Sequence, residues 1–228
     1  MKLKELESHL STVENEFDEP KIALEQYPTS AHLAARMLFV AAHTYEDIEG
    51  LNVLDLGCGT GILSIGSGML QAATVVGMDC DPRAIEIARN NAIEQELELD
   101  FVLGQVPNIP LIGWVFGNNS YEKKDKKLTC YLNPRKFDTI VMNPPFGTRN
   151  AGIDWVFLET AFNHADVVYS LHKSSTRKYL LDRASKDFDL DSQVIAEMKF
   201  DIPKSYKFHK KESLDIAVDL LRFERKNG

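Results

Sequence analysis

The chain has 228 residues, of which 44% are hydrophobic and 26% charged, and a formal net charge of −8. This length suits one globular domain over residues 1–228 with a full three-layer core, and the composition excludes collagen-like, low-complexity and repeat architectures. The acidic balance argues against non-specific coating of nucleic acid, no apolar run is long enough to span a bilayer, and the charged start Met1-Lys2-Leu3-Lys4-Glu5-Leu6-Glu7 lacks the apolar core of a signal peptide.

Leu3, Leu6, Leu10 and Val13 recur at helical spacing and predict a short amphipathic helix within residues 1–13. An acidic break follows over 16–20. Pro28 interrupts any helix through Tyr27, and Thr29 or Ser30 can cap the next one, expected over 31–42 with Leu33, Met37, Leu38, Val40 and Ala41 on its apolar face. Residues 1–45 thus form a helical extension.

Residues 51–56 read as a buried strand that delivers Asp55 just before Gly57-Cys58-Gly59-Thr60-Gly61, and a helical pattern runs over 62–70 from Ile62. Glycines let a backbone turn tightly and approach a ligand without Cβ interference. The spacing is Gly-x-Gly-x-Gly rather than the dinucleotide Gly-x-Gly-x-x-Gly, which fits the loop of S-adenosylmethionine (SAM) enzymes better than an NAD loop. A second strand over 74–79 ends at Asp79, 20 positions after Gly59, where a carboxylate accepts ribose hydroxyls. The alternative for Asp79 is a surface residue opening a helix. Pro82 starts a helix over 83–91, and a third strand over 99–106 brings Gln105 and Val106 to where an adenine edge would be read. Residues 107–135, with the run Lys123-Lys124-Asp125-Lys126-Lys127, lack periodicity and read as a solvated insertion.

A fourth buried strand over 137–142 runs into Asn143-Pro144-Pro145-Phe146. Neither proline can donate to a ladder, and Pro145 keeps Pro144 out of the helical region, so the strand must end in a rigid extended corner. In open α/β sheets the carboxyl ends of strands are where ligands bind. The Asn143 side-chain carbonyl and the Pro144 main-chain carbonyl form a pair of acceptors able to grip both hydrogens of an NH2 group. Such bonds favour localising a delocalised nitrogen lone pair and align it for in-line attack. Phe146 can stack on a planar base, worth roughly 1–3 kcal/mol. The alternative is a proline-rich turn beside a core Phe.

Beyond this corner, a helix is expected over 153–164, a fifth strand over 166–171 leading into His172-Lys173-Ser174-Ser175, a helix over 176–186, and two late strands over 193–202 and 215–225. Alternating strands and helices closed by two adjacent strands predict a doubly wound α/β sheet with an antiparallel final hairpin. Residues 171–211 hold ten Lys/Arg against six Asp/Glu, a local balance of +4. Lys204-Ser205-Tyr206-Lys207-Phe208-His209-Lys210-Lys211 interleaves cations with aromatics, as single-stranded nucleic acid requires, although a charged hairpin gives the same pattern. Lys173, Arg177, Lys207, Lys210 and Lys211 are the candidate RNA contacts. Three cysteines without a Cys-x-x-Cys pair predict reduced thiols in an intracellular protein, and no metal cluster is visible.

Together the glycine loop, Asp79 and the Asn-Pro-Pro-Phe corner resemble the Rossmann-like class I methyltransferases, whose strand order is 3-2-1-4-5-7-6. The stretches Glu25-Gln26-Tyr27-Pro28-Thr29, 142–148, 169–176 and 205–211 resemble the methyltransferase-like 5 family across nearly the whole chain, the 107–135 insertion apart. The resemblance implies N6 methylation of an adenosine in small-subunit (18S) ribosomal RNA. It also implies SAM as cofactor, a heterodimer with a small zinc-binding activator subunit, and residence in the nucleus, nucleolus and cytoplasm. By the same resemblance Gln26, Thr29, Gly57, Thr60, Ile62, Asp79, Gln105 and Val106 contact the cofactor, with Asp55, Gly59 and Gly61 in the same loop, and residues 143–146 are catalytic. Gln105 departs from the pattern, which has an Asp binding the adenine amino group. The insertion after Val106 is also longer than the family's. The third strand should be an edge, with Phe101-Val102-Leu103 offering an apolar seam for the activator. Rival readings are a protein glutamine methyltransferase, a DNA adenine methyltransferase and a catalytically idle ribosome-assembly scaffold.

Overall fold

Successive side chains of a strand point to opposite faces, and this sorting builds the molecule. In β1 (Asn52–Leu56), Val53 packs to one side while Leu54 and Leu56 pack to the other. β2 (Thr74–Asp79), β4 (Phe137–Met142) and β5 (Ala165–Lys173) divide alike: Val75, Val141 and Tyr169 share the core of Val53, whereas Val76, Ile140 and Val168 join Leu54. β3 (Asp100–Leu103), β6 (Leu190–Pro203) and β7 (Ser213–Arg225) complete the strands. In the computed structural model, which describes residues 1–17, 19–107, 137–203 and 213–226, these form one seven-stranded sheet in the order β3-β2-β1-β4-β5-β7-β6. β3, β2, β1, β4 and β5 are parallel, and β7 runs antiparallel to both β5 and β6. This is the expected doubly wound sheet with its antiparallel final hairpin.

Helices cover both faces. α1 (Leu3–Leu10), α2 (Ala31–His43) and α3 (Ile62–Met69) bury Leu6, Leu10, Met37, Leu38 and Ile65 against the Val53 face. α5 (Ile153–His164) and α6 (Arg177–Phe188) bury Leu158, Phe162 and Leu180 against the Leu54 face. There the Phe162 ring meets Phe223 of β7 edge to face, 5.0 Å between centroids. α4 (Pro82–Glu94) lies on β2 and β3 through Ile85, Ala88 and Ala92. Each fully buried aliphatic or aromatic side chain contributes about 1.5–3 kcal/mol, so the two apolar faces dominate stability.

Several boundaries differ from the sequence reading, and three of them have a visible cause. The first helix stops at Leu10 because the Ser11 and Thr12 hydroxyls donate back to the Glu7 and His9 carbonyls, at 2.7 and 2.8 Å. β3 is shorter than 99–106 because its partner β2 ends at Asp79, opposite Leu103. The final hairpin is longer than expected, since backbone pairing continues through polar positions such as Asp191 and Asp215. The 107–135 insertion lies, apart from Pro107, outside the described residues. Among the described residues no helix is long and apolar enough to cross a membrane.

Candidate active site

Strand order reverses between β1 and β4, and the carboxyl ends of β3, β2, β1 and β4 open into one cleft. The turn after β1 forms its floor. Gly57 has φ +77, and a Cβ there would stand 2.9 Å from the Phe157 ring. Gly59 has φ +53, and its N–H donates to Asp79 Oδ2 at 2.9 Å. Side chains are therefore excluded at both positions, and the backbone is presented bare to the cleft. Thr60 and Ile62 line the same wall, and Gly61 is the N-cap of α3.

Two carboxylates hold this turn in place. Asp55, 1% exposed, does not line the cleft. Its Oδ2 accepts from the Ser64 N–H at 2.9 Å and the Ser64 hydroxyl at 2.7 Å, tying β1 to the first turn of α3. Burial pushes its carboxyl up to about 7 even though the Ser64 bonds pull the other way. The residue expected to touch cofactor is thus placed beneath the loop as a support. Asp79 does line the cleft, and it accepts from Gly59 with one oxygen and from the Asp81 N–H with the other, at 2.9 Å. Its carboxyl is raised, chiefly by burial. Gln105 and Val106 stand beside it at the end of β3.

A strap from the amino-terminal extension crosses the cleft. Asn15 donates to the Thr29 carbonyl at 2.5 Å and accepts from the Thr60 hydroxyl at 2.7 Å. Phe17 reaches within 3.1 Å of where a Gly59 Cβ would stand. Gln26, 8% exposed, donates to Asp81 Oδ2 at 2.8 Å and accepts from the Lys21 N–H at 2.7 Å. Asp81 also takes Lys21 Nζ at 2.7 Å and caps α4; burial alone would raise its carboxyl, but the Lys21 and Gln26 bonds hold it below the usual range. Ser30 rather than Thr29 caps α2, accepting from the Leu33 N–H at 3.3 Å. Thr29 is therefore free for another task.

That task is visible at the Asn-Pro-Pro-Phe corner. Asn143 Nδ2 donates to Thr29 Oγ1 at 2.8 Å, while Asn143 Oδ1 is buried with no hydrogen-bond partner among the described residues. The amide is pinned by its nitrogen and presents its oxygen. Pro145 lines the cleft beside it and Pro144 is buried. Phe146 packs edge to face against Phe200 at 5.6 Å, with Lys173 Nζ 5.8 Å from its ring centroid.

The comparisons agree with this geometry. A family model described as ribosomal protein L11 methyltransferase matches residues 27–111, the part that holds the glycine turn and Asp79. The chain is 49% identical over 226 residues to the rRNA N(6)-adenosine-methyltransferase METTL5 of Danio rerio, covering 98% of this chain and 99% of that one. It is 45% identical over 227 residues to the Drosophila melanogaster rRNA N(6)-adenosine-methyltransferase Mettl5, covering 98% and 97%. The chain belongs to the methyltransferase-like 5 family. A crystal structure from Pyrococcus horikoshii, described as that of a candidate RNA methyltransferase, superposes with a TM-score of 0.76 at 31% identity, covering 99% of this chain and 96% of that one. The family and the fold imply SAM as the methyl donor.

In this methyltransferase-like 5 chain the expected RNA contacts fare unequally. Lys173 stands beside Phe146, as above. Arg177 is not a free cation: its Nε and Nη2 clamp both oxygens of fully buried Asp219 at 2.6 Å, and Nη2 also reaches Glu197 at 2.6 Å. The guanidinium is spent on folding β7 against α6, a role that a basic sequence run does not reveal. Lys207, Lys210 and Lys211 lie outside the described residues. At the β3 edge, Phe101 is 6% exposed and packed inward, Leu103 is 54% exposed, and Arg89 donates to the Phe101 carbonyl at 2.8 Å. The apolar seam is therefore narrower than Phe101-Val102-Leu103 suggested. Asn15, Phe17, Glu25 and Asp81 were missed in sequence, because each acts through partners more than ten residues away.

Proposed function

We infer that this chain transfers a methyl group from SAM to the N6 amino group of an adenosine in small-subunit ribosomal RNA. The observation that carries the reading is the buried Asn143 Oδ1, without a hydrogen-bond partner among the described residues and held by Thr29 at the end of β4 beside a complete glycine turn. The residues fit the cofactor: Asp79 retains lone pairs for two ribose hydroxyls, and Gly57 and Gly59 leave the floor bare. When bound, SAM supplies an electrophilic methyl group on a sulfonium. Thr60, Ile62, Gln105 and Val106 would hold it at the wall and the adenine end, with Gln26 and Thr29 in the strap above.

Asn143 Oδ1 and the Pro144 carbonyl accept the two amino hydrogens of a splayed-out adenine and aim the nitrogen lone pair. Phe146, braced by Phe200, gives the base a platform, and Lys173 beside it meets the adjoining phosphate. The nitrogen becomes acidic on alkylation and loses its proton late, so no strong general base is required.

The same reading includes a heterodimer with a small zinc-binding activator that adds a strand at the exposed edge of β3, and residence in nucleus, nucleolus and cytoplasm, where ribosomal RNA is made and used. Asn143→Ala should lower turnover by at least two orders of magnitude with SAM affinity nearly unchanged. Loss of cofactor binding as well would make Asn143 structural and end this role.

A further inference from the structure

Glu25 is a buried carboxylate that the reaction described above leaves unused. It is 7% exposed and lines the cleft. Its backbone is left-handed, φ 51, which non-glycine residues hold only where the surroundings over-determine it. That conformation sends adjacent side chains to opposite ends of the cleft. Gln26 reaches Asp81 beyond β2, while Glu25 Oε1 accepts from the Arg149 N–H at 2.8 Å, in the loop that follows Asn-Pro-Pro-Phe. Glu25 Oε2 is buried with no hydrogen-bond partner among the described residues. A desolvated carboxylate oxygen without a donor is costly, and a positive donor offsets that cost best.

The cleft has a direction. Gln105, Val106 and Asp79 mark its adenosine end, just past β3 and at the end of β2, so the amino-acid end of a cofactor lies toward β1 and β4, where Glu25 stands. Two donor groups meet at that end: the neutral amino group of the target base and a positively charged α-ammonium. Neutral Asn143 suits the first. Among the described lining residues the charged ones are Asp79 and Glu25, with no Lys or Arg, and Asp79 belongs to the ribose. We propose that Glu25 Oε2 is the acceptor for the α-ammonium of SAM. The assignment rests on the reading of the cleft as a SAM site. Because Oε1 of the same carboxylate holds the Arg149 N–H, the cofactor's amino-acid end and the loop beside the target base share one anchor.

The test is Glu25→Gln, which keeps an oxygen for the Arg149 N–H and removes the charge. Calorimetric titration would use SAM, S-adenosylhomocysteine and 5′-methylthioadenosine, the last sharing the adenosine but lacking the amino acid. SAM and S-adenosylhomocysteine should each bind about ten- to a hundredfold more weakly, the range of a charge-assisted hydrogen bond, with 5′-methylthioadenosine unchanged. Equal weakening of all three would show a latch that only shapes the strap, and no change in any would remove the contact; either overturns the proposal. If the variant does not fold, the wild-type chain is titrated with S-adenosylhomocysteine carrying hydrogen in place of its amino group. A loss of the same size is then expected, and equal affinity overturns the assignment. Wild-type protein that binds neither SAM nor S-adenosylhomocysteine would instead overturn the cofactor reading beneath it.

Discussion

Thr29→Val removes one hydroxyl from a buried contact while keeping the side chain's shape. Asn143 Nδ2 donates to that hydroxyl at 2.8 Å, and Thr29 is 7% exposed, so water cannot readily replace the partner. The bond decides which end of the Asn143 amide faces the cleft. A neutral hydrogen bond of this kind is worth about 0.5–1.5 kcal/mol net, and about 1.4 kcal/mol is a factor of ten. The ratio of productive to flipped orientation should therefore fall roughly 2- to 12-fold, and turnover at saturating SAM should fall by up to that factor. The assay is single-turnover transfer of labelled methyl to ribosomal RNA, with cofactor affinity measured separately. Thr29→Ser should restore the rate. Unchanged turnover at saturating SAM, with weakened cofactor binding, would show that the hydroxyl serves the cofactor rather than the amide, and the orienting role would be wrong.

Three further predictions follow from the fold around the site. The folded Asp55 carboxyl, raised to about 7 by burial, holds its proton at pH values where an unfolded Asp, near about 3.9, has lost it. Stability should therefore fall as pH rises from about 4 to about 7 and level off above, the opposite sign to a salt-bridged carboxylate, and Asp55→Asn should flatten that descent in urea titrations; an unchanged slope would contradict the assignment. In Gly77→Ala the new Cβ would stand 2.5 Å from Phe101 Cδ1 and 2.9 Å from Ser64 Oγ, so overpacking should cost about 1–3 kcal/mol in urea unfolding and weaken SAM binding through the Ser64–Asp55 support. A variant as stable as wild type would mean that β3 yields freely. Gly104 donates its N–H to the Asp79 carbonyl, so by strand alternation the Val102 N–H faces β2 and the Leu103 N–H faces outward. Leu103→Pro removes that outward donor and should abolish the complex with the activator in gel filtration, whereas an intact complex would refute docking at this edge.

The sequence is legible where structure is local. Short continuous apolar runs located β2 and β4 to the residue and β1 within one, because each strand is buried on both faces. The glycine turn and the double-proline corner were legible because their backbone constraints leave few alternatives. What escaped depends on chain closure. Nothing local says that Asn15 bridges Thr29 to Thr60, or that Asp81 gathers Lys21 and Gln26. Arg177 misled for the same reason: a cation in a basic run looks free until the Asp219 opposite it, 42 residues away, is known. Asp55 was read as a ligand because it abuts the loop, yet strand alternation turns it under α3.

The central claim is adenine N6 methylation of ribosomal RNA, and the direct measurement is nucleoside mass spectrometry. RNA from cells lacking this protein would be incubated with it and isotopically labelled SAM, with and without the activator. Labelled N6-methyladenosine in small-subunit ribosomal RNA is the expected result. Label absent from RNA but present on a protein glutamine would contradict the account, leaving only the fold and the cofactor.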